Sequence, residues 1–546
     1  MRAAAILLLL IASPVSAYTV GTGFSDACHE RMTLEAYSEY IVELPTDRVP
    51  VPSGAAWNAL SAALIKEFGL QSYDDAQRTM ILSLVIGVRA PDTEGHALTD
   101  FSNTRRIHAD ASDEGQYAHA LRGIGDDGVQ GDQAAVQGTR EYLRSMIARA
   151  HEVLRLPRDQ QLVKATVYVE GYGLVEVPVW GPLYFMGRAI HALQDSFTHM
   201  FRDETFGGVT HVMNYVEAIG TNHQEPRDGV RHSQSMDTCG WTTAPLQRAA
   251  VEATIDLILS QTAPFFLSPS TEQPSLDEFL DRWLRYKPNC DFANAYCQSR
   301  WLPVAQEAPT HAYLSCGAAP GDGNVLYALV LVAMVWMKRR ATRQQRTRAL
   351  AAVALACALT ACSNPPAPRG RPVLDCSAQP LVPCGGDLSG SWAWVNTCPF
   401  GGVDRTFAPP GYEACPEVRR DGSSSRVGTI TFDGGIATGG VAFARQRVAV
   451  TIPKKCIPDA AEAGCANALP DAVCADRGDV CRCSYTSVGE VEPGEAVPYT
   501  LDGGYFIAED LPIAYCVQGD LLTFEFRTFE DGAEVWERMQ LQRLEP

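Results

Sequence analysis

Gly181-Pro-Leu-Tyr-Phe-Met-Gly-Arg-Ala-Ile-His191-Ala-Leu-Gln-Asp195-Ser-Phe-Thr-His199-Met-Phe201 is the stretch on which the reading of this chain turns. Its apolar residues Met186, Ile190, Leu193, Phe197 and Phe201 recur at steps of three and four, the spacing by which an α-helix buries one stripe. His191, Asp195 and His199 recur at steps of four. Each such step turns about 40° on a helix, so the three span about 80° and share a face. Imidazole nitrogens and a carboxylate oxygen projected from one rigid helix suit zinc. The plainer alternative is a core helix with hydrogen-bonded histidines.

Working outward, further ligand-type residues stand on either side. His29 lies in Ala27-Cys28-His29-Glu30-Arg31, Asp92 ends the run Leu82 to Pro91-Asp92, and His108 follows in Arg106-Ile107-His108-Ala109-Asp110. His211 comes after the central helix, in Val209-Thr-His211-Val-Met-Asn214-Tyr-Val-Glu217. His96, His119, His151, His223, His232 and His311 read as solvent or structural histidines. Helical spacing marks Leu60 to Phe68, Arg78 to Val88, Thr139 to Leu154 and Gln247 to Leu259. Thr166 to Val179 alternates and is β-branched, which predicts a hairpin just before the central helix. Gly123 to Gly138 and Gly220 to Gly240 read as loops.

This order of residues resembles the zinc-dependent phospholipase C family, whose helical fold is shared with the fungal single-strand-specific nucleases. The resemblance covers about Tyr18 to Asp237 and is most specific in the His-x-x-x-Asp helix. It implies a cluster of two or three zinc ions held by His29, Asp92, His108, His191 and Asp195, with His199 and His211 completing the last site. The chain departs from the family pattern in three places. His199 lies eight residues past His191, not ten, and without a proline. The mature chain would begin at Tyr18 rather than at Trp. His211 is followed four residues later by Tyr215 rather than Glu, leaving Glu217 and Asp203 as rivals for that place.

At 546 residues the chain is too long for a single core and predicts at least two domains. A net charge of -19 argues against a nucleic-acid-binding surface. Residues 1–17, with Arg2, an apolar run and Val15-Ser16-Ala17, read as a secretory signal peptide. Export permits disulfides, and the cysteines from Cys376 onward form an even, disulfide-like set. Residues 18–320 are then a mostly α-helical, phospholipase C-like domain.

Residues 325–361 form an apolar run, a basic turn from Lys338 to Arg348 and a second apolar run ending Leu359-Thr360-Ala361-Cys362. Each apolar run is shorter than the roughly 20 residues a spanning helix needs. The segment reads either as a membrane hairpin with a cytoplasmic basic turn or as a junction of two exported proteins. In the second reading Met337 begins a stretch that resembles a bacterial lipoprotein signal with its lipid-bearing residue at Cys362. Residues 362–546 are β-like, with Gly390-x-Trp392 weakly similar to lipocalin-like domains, and predict a small antiparallel barrel or sandwich.

The resulting expectation is a multidomain, exported, membrane-anchored zinc phosphodiester hydrolase of the bacterial cell envelope or cell surface, with a phospholipid or other phosphodiester as its substrate and no stable nucleic-acid partner. Asp195 would bridge metals, and Asp92 would serve as ligand or general base to a metal-activated water. A single-strand-specific nuclease and a non-catalytic cell-surface ligand-binding lipoprotein are the alternatives.

Overall fold

Long amphipathic runs with clear start and stop signals build the first half of the chain. The computed structural model describes residues 28–38, 49–97, 112–214 except 124, 243–266, 275–306 and most of 374–544, with a few single residues between. The signal peptide, His108, Glu217 and the whole of 325–361 therefore lie outside the described residues.

Helix α1 (Cys28–Ser38) is followed by α2 (Ala55–Phe68) and α3 (Asp75–Thr93). A capping box opens α3: Gln77 N donates to Asp74 Oδ1 at 2.8 Å, and Asp74 N donates to Gln77 Oε1 at 3.1 Å. A short α4 (Asp113–Ala118) and the long α5 (Gly128–Leu154) lead to the hairpin β1 (Leu162–Val169) and β2 (Gly173–Trp180), paired in register from Leu162↔Trp180 to Val169↔Gly173. The predicted hairpin is there, and it feeds directly into α6 (Gly181–Asp195), where Pro182 occupies the first turn as its missing N–H allows. Strands β3 (Met200–Arg202), β4 (Gly208–Val212) and β5 (Arg285–Tyr286) make a second small sheet. Helix α7 (Ala244–Phe266) is buried along most of its length, with Gln247, Glu252, Thr254 and Asp256 buried among its apolar residues. Helix α8 (Leu276–Trp283) packs beside it, capped by Ser275 and Glu278.

From Gly390 the chain forms β6 (Gly390–Thr397), β7 (Arg419–Asp433), β8 (Ile436–Pro453), β9 (Val473–Arg477), β10 (Val480–Gly489), β11 (Gly494–Asp502), β12 (Tyr505–Ala508), β13 (Leu511–Gln518), β14 (Leu521–Glu530) and β15 (Ala533–Leu544). The antiparallel order β11-β12-β13-β14-β15-β6-β7-β8 closes on itself because the start of β8 also pairs with β11, Ala437 opposite Val497. The far half of β8 pairs with β10, so β10 and β9 extend the wall beyond the ring. Trp392, Phe432, Phe506, Ile513, Leu522, Phe524 and Leu541 share the barrel core.

The expected fold class is corrected here. The chain is not a mostly α-helical protein with a hydrophobic membrane segment and a small β appendage. Its C-terminal part is a large closed barrel of eight strands, and two further sheets run through the helical part. Among the described residues no helix is long and apolar enough to cross a membrane. Residues Val15–Gln306 and Leu374–Pro546 belong to one compact unit. Phe443, Val427 and Ala393 of the barrel join the same hydrophobic core as the helices.

All ten cysteines from Cys376 onward are bonded, as Cys376–Cys398, Cys384–Cys516, Cys415–Cys456, Cys465–Cys481 and Cys474–Cys483. In the helical part Cys28 joins Cys239 and Cys290 joins Cys297.

Candidate metal centre

Helix α1 supplies His29 from its first turn, α3 supplies Asp92 from its last, and α6 supplies His191 and Asp195 one turn apart. His119, the residue that ends α4, completes the set. What brings α3 and α6 so close is a pair of glycines. A methyl placed on Gly87 would lie 2.1 Å from the Tyr184 carbonyl oxygen, and one on Gly187 would lie 2.3 Å from that of Leu84. Any side chain at either position forces the two ligand-bearing helices apart.

Asp195 is the hub. Its Oδ1 lies 3.1 Å from His29 Nε2, and its Oδ2 lies 3.1 Å from His191 Nε2 and 3.2 Å from His119 Nδ1. Asp92 Oδ1 stands 3.6 Å from His191 Nε2 and 3.7 Å from His119 Nδ1. His191 Nε2 and His119 Nδ1 are 3.2 Å apart. A zinc ion about 2.05 Å from each tetrahedral ligand holds its donor atoms about 3.3 Å from one another, so these separations are those of donors around one cation. Two overlapping triads bring their ligand atoms within 4.8 Å of one another, His29–Asp92–His191 and His119–His191–Asp195. The residues present therefore fit a metal.

Burial sharpens the point. His29, His191 and Asp195 are fully buried, and only Asp92 and His119 keep slight exposure, 5% of each side chain. His191 Nδ1 is buried without a hydrogen-bond partner, which is costly for a site made of protein alone. Burial by itself would push the Asp195 carboxyl up, but the imidazoles of His191, His199 and His29 and the bond from His119 hold it well below the usual carboxylate range. His29 is the mirror case. Burial pushes its imidazole down, and the charge and hydrogen bond of Asp195, with the charge of Asp92, raise it above its ordinary value.

Gln194 orients His29. Its Oε1 lies 2.8 Å from His29 Nδ1, and its Nε2 donates to Thr33 Oγ1 at 3.0 Å and Thr254 Oγ1 at 3.3 Å. The amide is thus anchored with its oxygen toward the ring. In the neutral imidazole Nδ1 carries the proton, so the Nε2 lone pair faces the Asp195 carboxylate 3.1 Å away. Two lone pairs at that distance repel unless a proton or a metal cation lies between them.

The other described sequence candidates are engaged in further bonds, although the His199 imidazole also acts on Asp195. His199 is not on the helix: α6 ends at Asp195, where Ser196 Oγ turns back to Leu193 O (2.6 Å) and Thr198 Oγ1 to Asp195 O (3.1 Å), local bonds that compete with helix continuation. His199 Nδ1 instead bonds the backbone carbonyl of His119, so it supports the segment that presents His119. His211, on β4, stacks on Tyr296 with ring centroids 3.9 Å apart. Its Nδ1 lies 3.0 Å from Asp132 Oδ2, and its Nε2 accepts from Val230 N at 3.2 Å. Both ring nitrogens are engaged, and Arg122 completes that buried knot through Asp132 Oδ1 at 2.8 Å. Asp203 caps its own turn, accepting from Thr205 N and Gly208 N. His119, read in the sequence as a structural histidine, stands inside the cluster. A further group, Cys415–Glu417–Cys456, holds a disulfide and so offers no thiolate pair.

No family model matches this chain, and no significant likeness to a curated protein or a solved structure was found.

Proposed function

We propose that the helical part is a zinc-dependent phosphodiester hydrolase of the phospholipase C type. The observation that carries the reading is the convergence of His29, Asp92, His119, His191 and Asp195, with separations of 3.1 to 3.7 Å, in a buried cluster where His191 Nδ1 has no hydrogen-bond partner. His29, His119 and His191 would hold the metal with Asp195 and Asp92, in a centre for one or two ions. Bound there, zinc supplies a water acidic enough to ionise near neutral pH and positive charge for phosphate oxygens.

The chain's own residues do the rest. Gln194 holds the His29 ring in the tautomer that presents Nε2. Asp195 fixes three imidazoles around one carboxylate. Asp92 and His119 stand on the slightly exposed rim, where the Asp92 carboxylate would serve as a ligand or as the base for an attacking water. The close packing of α3 on α6 keeps bulk water from the inner ligands.

A net charge of -19 disfavours a polyanionic strand more than a lipid headgroup, and the seven disulfides among the described residues suit an exported protein at the cell envelope. The test is hydrolysis by the zinc-loaded full chain. Cleavage of phosphatidylcholine vesicles, lost in His191→Ala and His119→Ala, is the expected outcome. Cleavage of single-stranded DNA alone would move the substrate class to nucleic acid. Activity on neither, with zinc bound, would leave a non-catalytic surface protein as the better account.

A further inference from the structure

The contact between the helices and the barrel is built like a subunit interface. Glu252, on α7, is fully buried, and Arg445, on β8, is 3% exposed. Arg445 Nε donates to Glu252 Oε2 at 3.0 Å and its Nη2 approaches Oε1 at 3.5 Å, while Arg248, one turn earlier on α7, donates to the same carboxylate. Two residues before Arg445, on the same side of β8, Phe443 meets Trp283 of α8 with ring centroids 5.1 Å apart. The Arg282 guanidinium lies 5.7 Å from the centroid of that ring while donating to Asp256 Oδ2 at 2.7 Å. Val427 and Ala393 carry the shared core further into the barrel wall. A charge pair this deeply buried has no equivalent on a free surface, because each half alone would present an apolar patch around an ion stripped of its partner.

We propose that the barrel is a built-in, non-covalently held subunit of the helical part, so that scission anywhere in 307–373 leaves the two halves assembled through the α7–β8 contact. The occupant of the α7 and α8 face is this chain's own barrel. No described disulfide joins the halves, since each pairs cysteines on one side of that segment. The proposal bears on the lipoprotein-like stretch ending at Cys362: processing there would yield two chains that remain one particle. It is independent of the catalytic reading.

The experiment uses the full chain with a protease recognition sequence inserted at each end of 307–373, so that cleavage excises the segment. After cutting, non-reducing gel filtration at micromolar concentration should return the two fragments in one peak. Arg445→Gln in the same background should raise the dissociation constant roughly 100-fold or more, because it leaves Glu252 buried with a weakened partner set. The double variant Glu252→Gln with Arg445→Met, which removes both charges, should restore association, an outcome that a merely misfolded barrel would not give. Separation of the wild-type fragments overturns the proposal. So does an Arg445→Gln complex as tight as the parent.

Discussion

Replacing Gln194 by Leu removes one acceptor, the amide donors and little volume, and the structure sets what that costs. The amide makes three contacts: His29 Nδ1 at 2.8 Å, Thr33 Oγ1 at 3.0 Å and Thr254 Oγ1 at 3.3 Å. Thr254 keeps its bond to the Ala250 carbonyl at 2.7 Å, and the Thr33 hydroxyl can rotate. His29 cannot adjust in this way, because its ring is fully buried and packed 4.3 Å from that of His191. The loss therefore falls on one buried N–H, about 1–3 kcal/mol, and it falls on the group that fixes the metal-facing tautomer. Outer partners of histidine ligands change metal affinity by about 10- to 100-fold, which is the same energy expressed as binding. Competition with a chromophoric chelator on the full chain should show zinc affinity down by that factor in Gln194→Leu. Gln194→Glu, which keeps an acceptor for His29 Nδ1, should lie close to the parent. An unchanged affinity in Gln194→Leu, alongside a loss in His29→Ala, would refute the orienting role.

Three other outcomes follow from the same geometry. Gly187→Ala places a methyl 2.3 Å from the Leu84 carbonyl oxygen, so it should destabilise the fold by about 1–3 kcal/mol and lower zinc affinity together, as read by thermal melting and chelator competition. Arg122→Met takes from the buried Asp132 carboxylate its guanidinium partner and should cost about 3–5 kcal/mol in denaturant melts, while the protein that remains folded keeps its zinc. Burial alone would raise the Glu252 carboxyl, but Arg248 and Arg445 hold it below its ordinary 4.5, so its stabilisation is present above that pH and is lost as pH falls through the lowered folded value. Acid melts of the parent should therefore be steeper below pH 4.5 than those of Glu252→Gln.

The sequence carried the inner half of the site and little of what completes it. His191 and Asp195 could be read because a four-residue step is a local rule of the helix, and Asp92 because it closes an apolar helical run. The same rule extended too far at His199, where Ser196 and Thr198 bond back to the chain and end α6. His119 has no periodic signal. It follows a six-residue helix and reaches the cluster only through the tertiary path of the chain, so no local rule of the sequence picks it out. Gly87 and Gly187 are visible as glycines within apolar helical runs, but nothing local says that they face each other.

The barrel was under-read for a related reason. The first half of β7, Arg419-Arg-Asp-Gly-Ser-Ser-Ser-Arg426, looks like a polar loop by composition, yet it pairs with β8 along its length. Closure depends on the β8–β11 pairing, across a long stretch of sequence, and the Glu252–Arg445 contact joins residues 193 apart. Neither has a spacing that a sequence reading can use.

The central claim is that Asp195 and the imidazoles around it hold a metal, and elemental analysis of the purified full chain after zinc reconstitution and desalting tests it most directly. The parent should retain one or two zinc ions per molecule. Asp195→Asn, which keeps the shape but loses the charge on which His29, His119 and His191 converge, should lose at least one of them while remaining folded by circular dichroism. A parent protein without zinc, or an Asp195→Asn variant with undiminished zinc, would contradict the account.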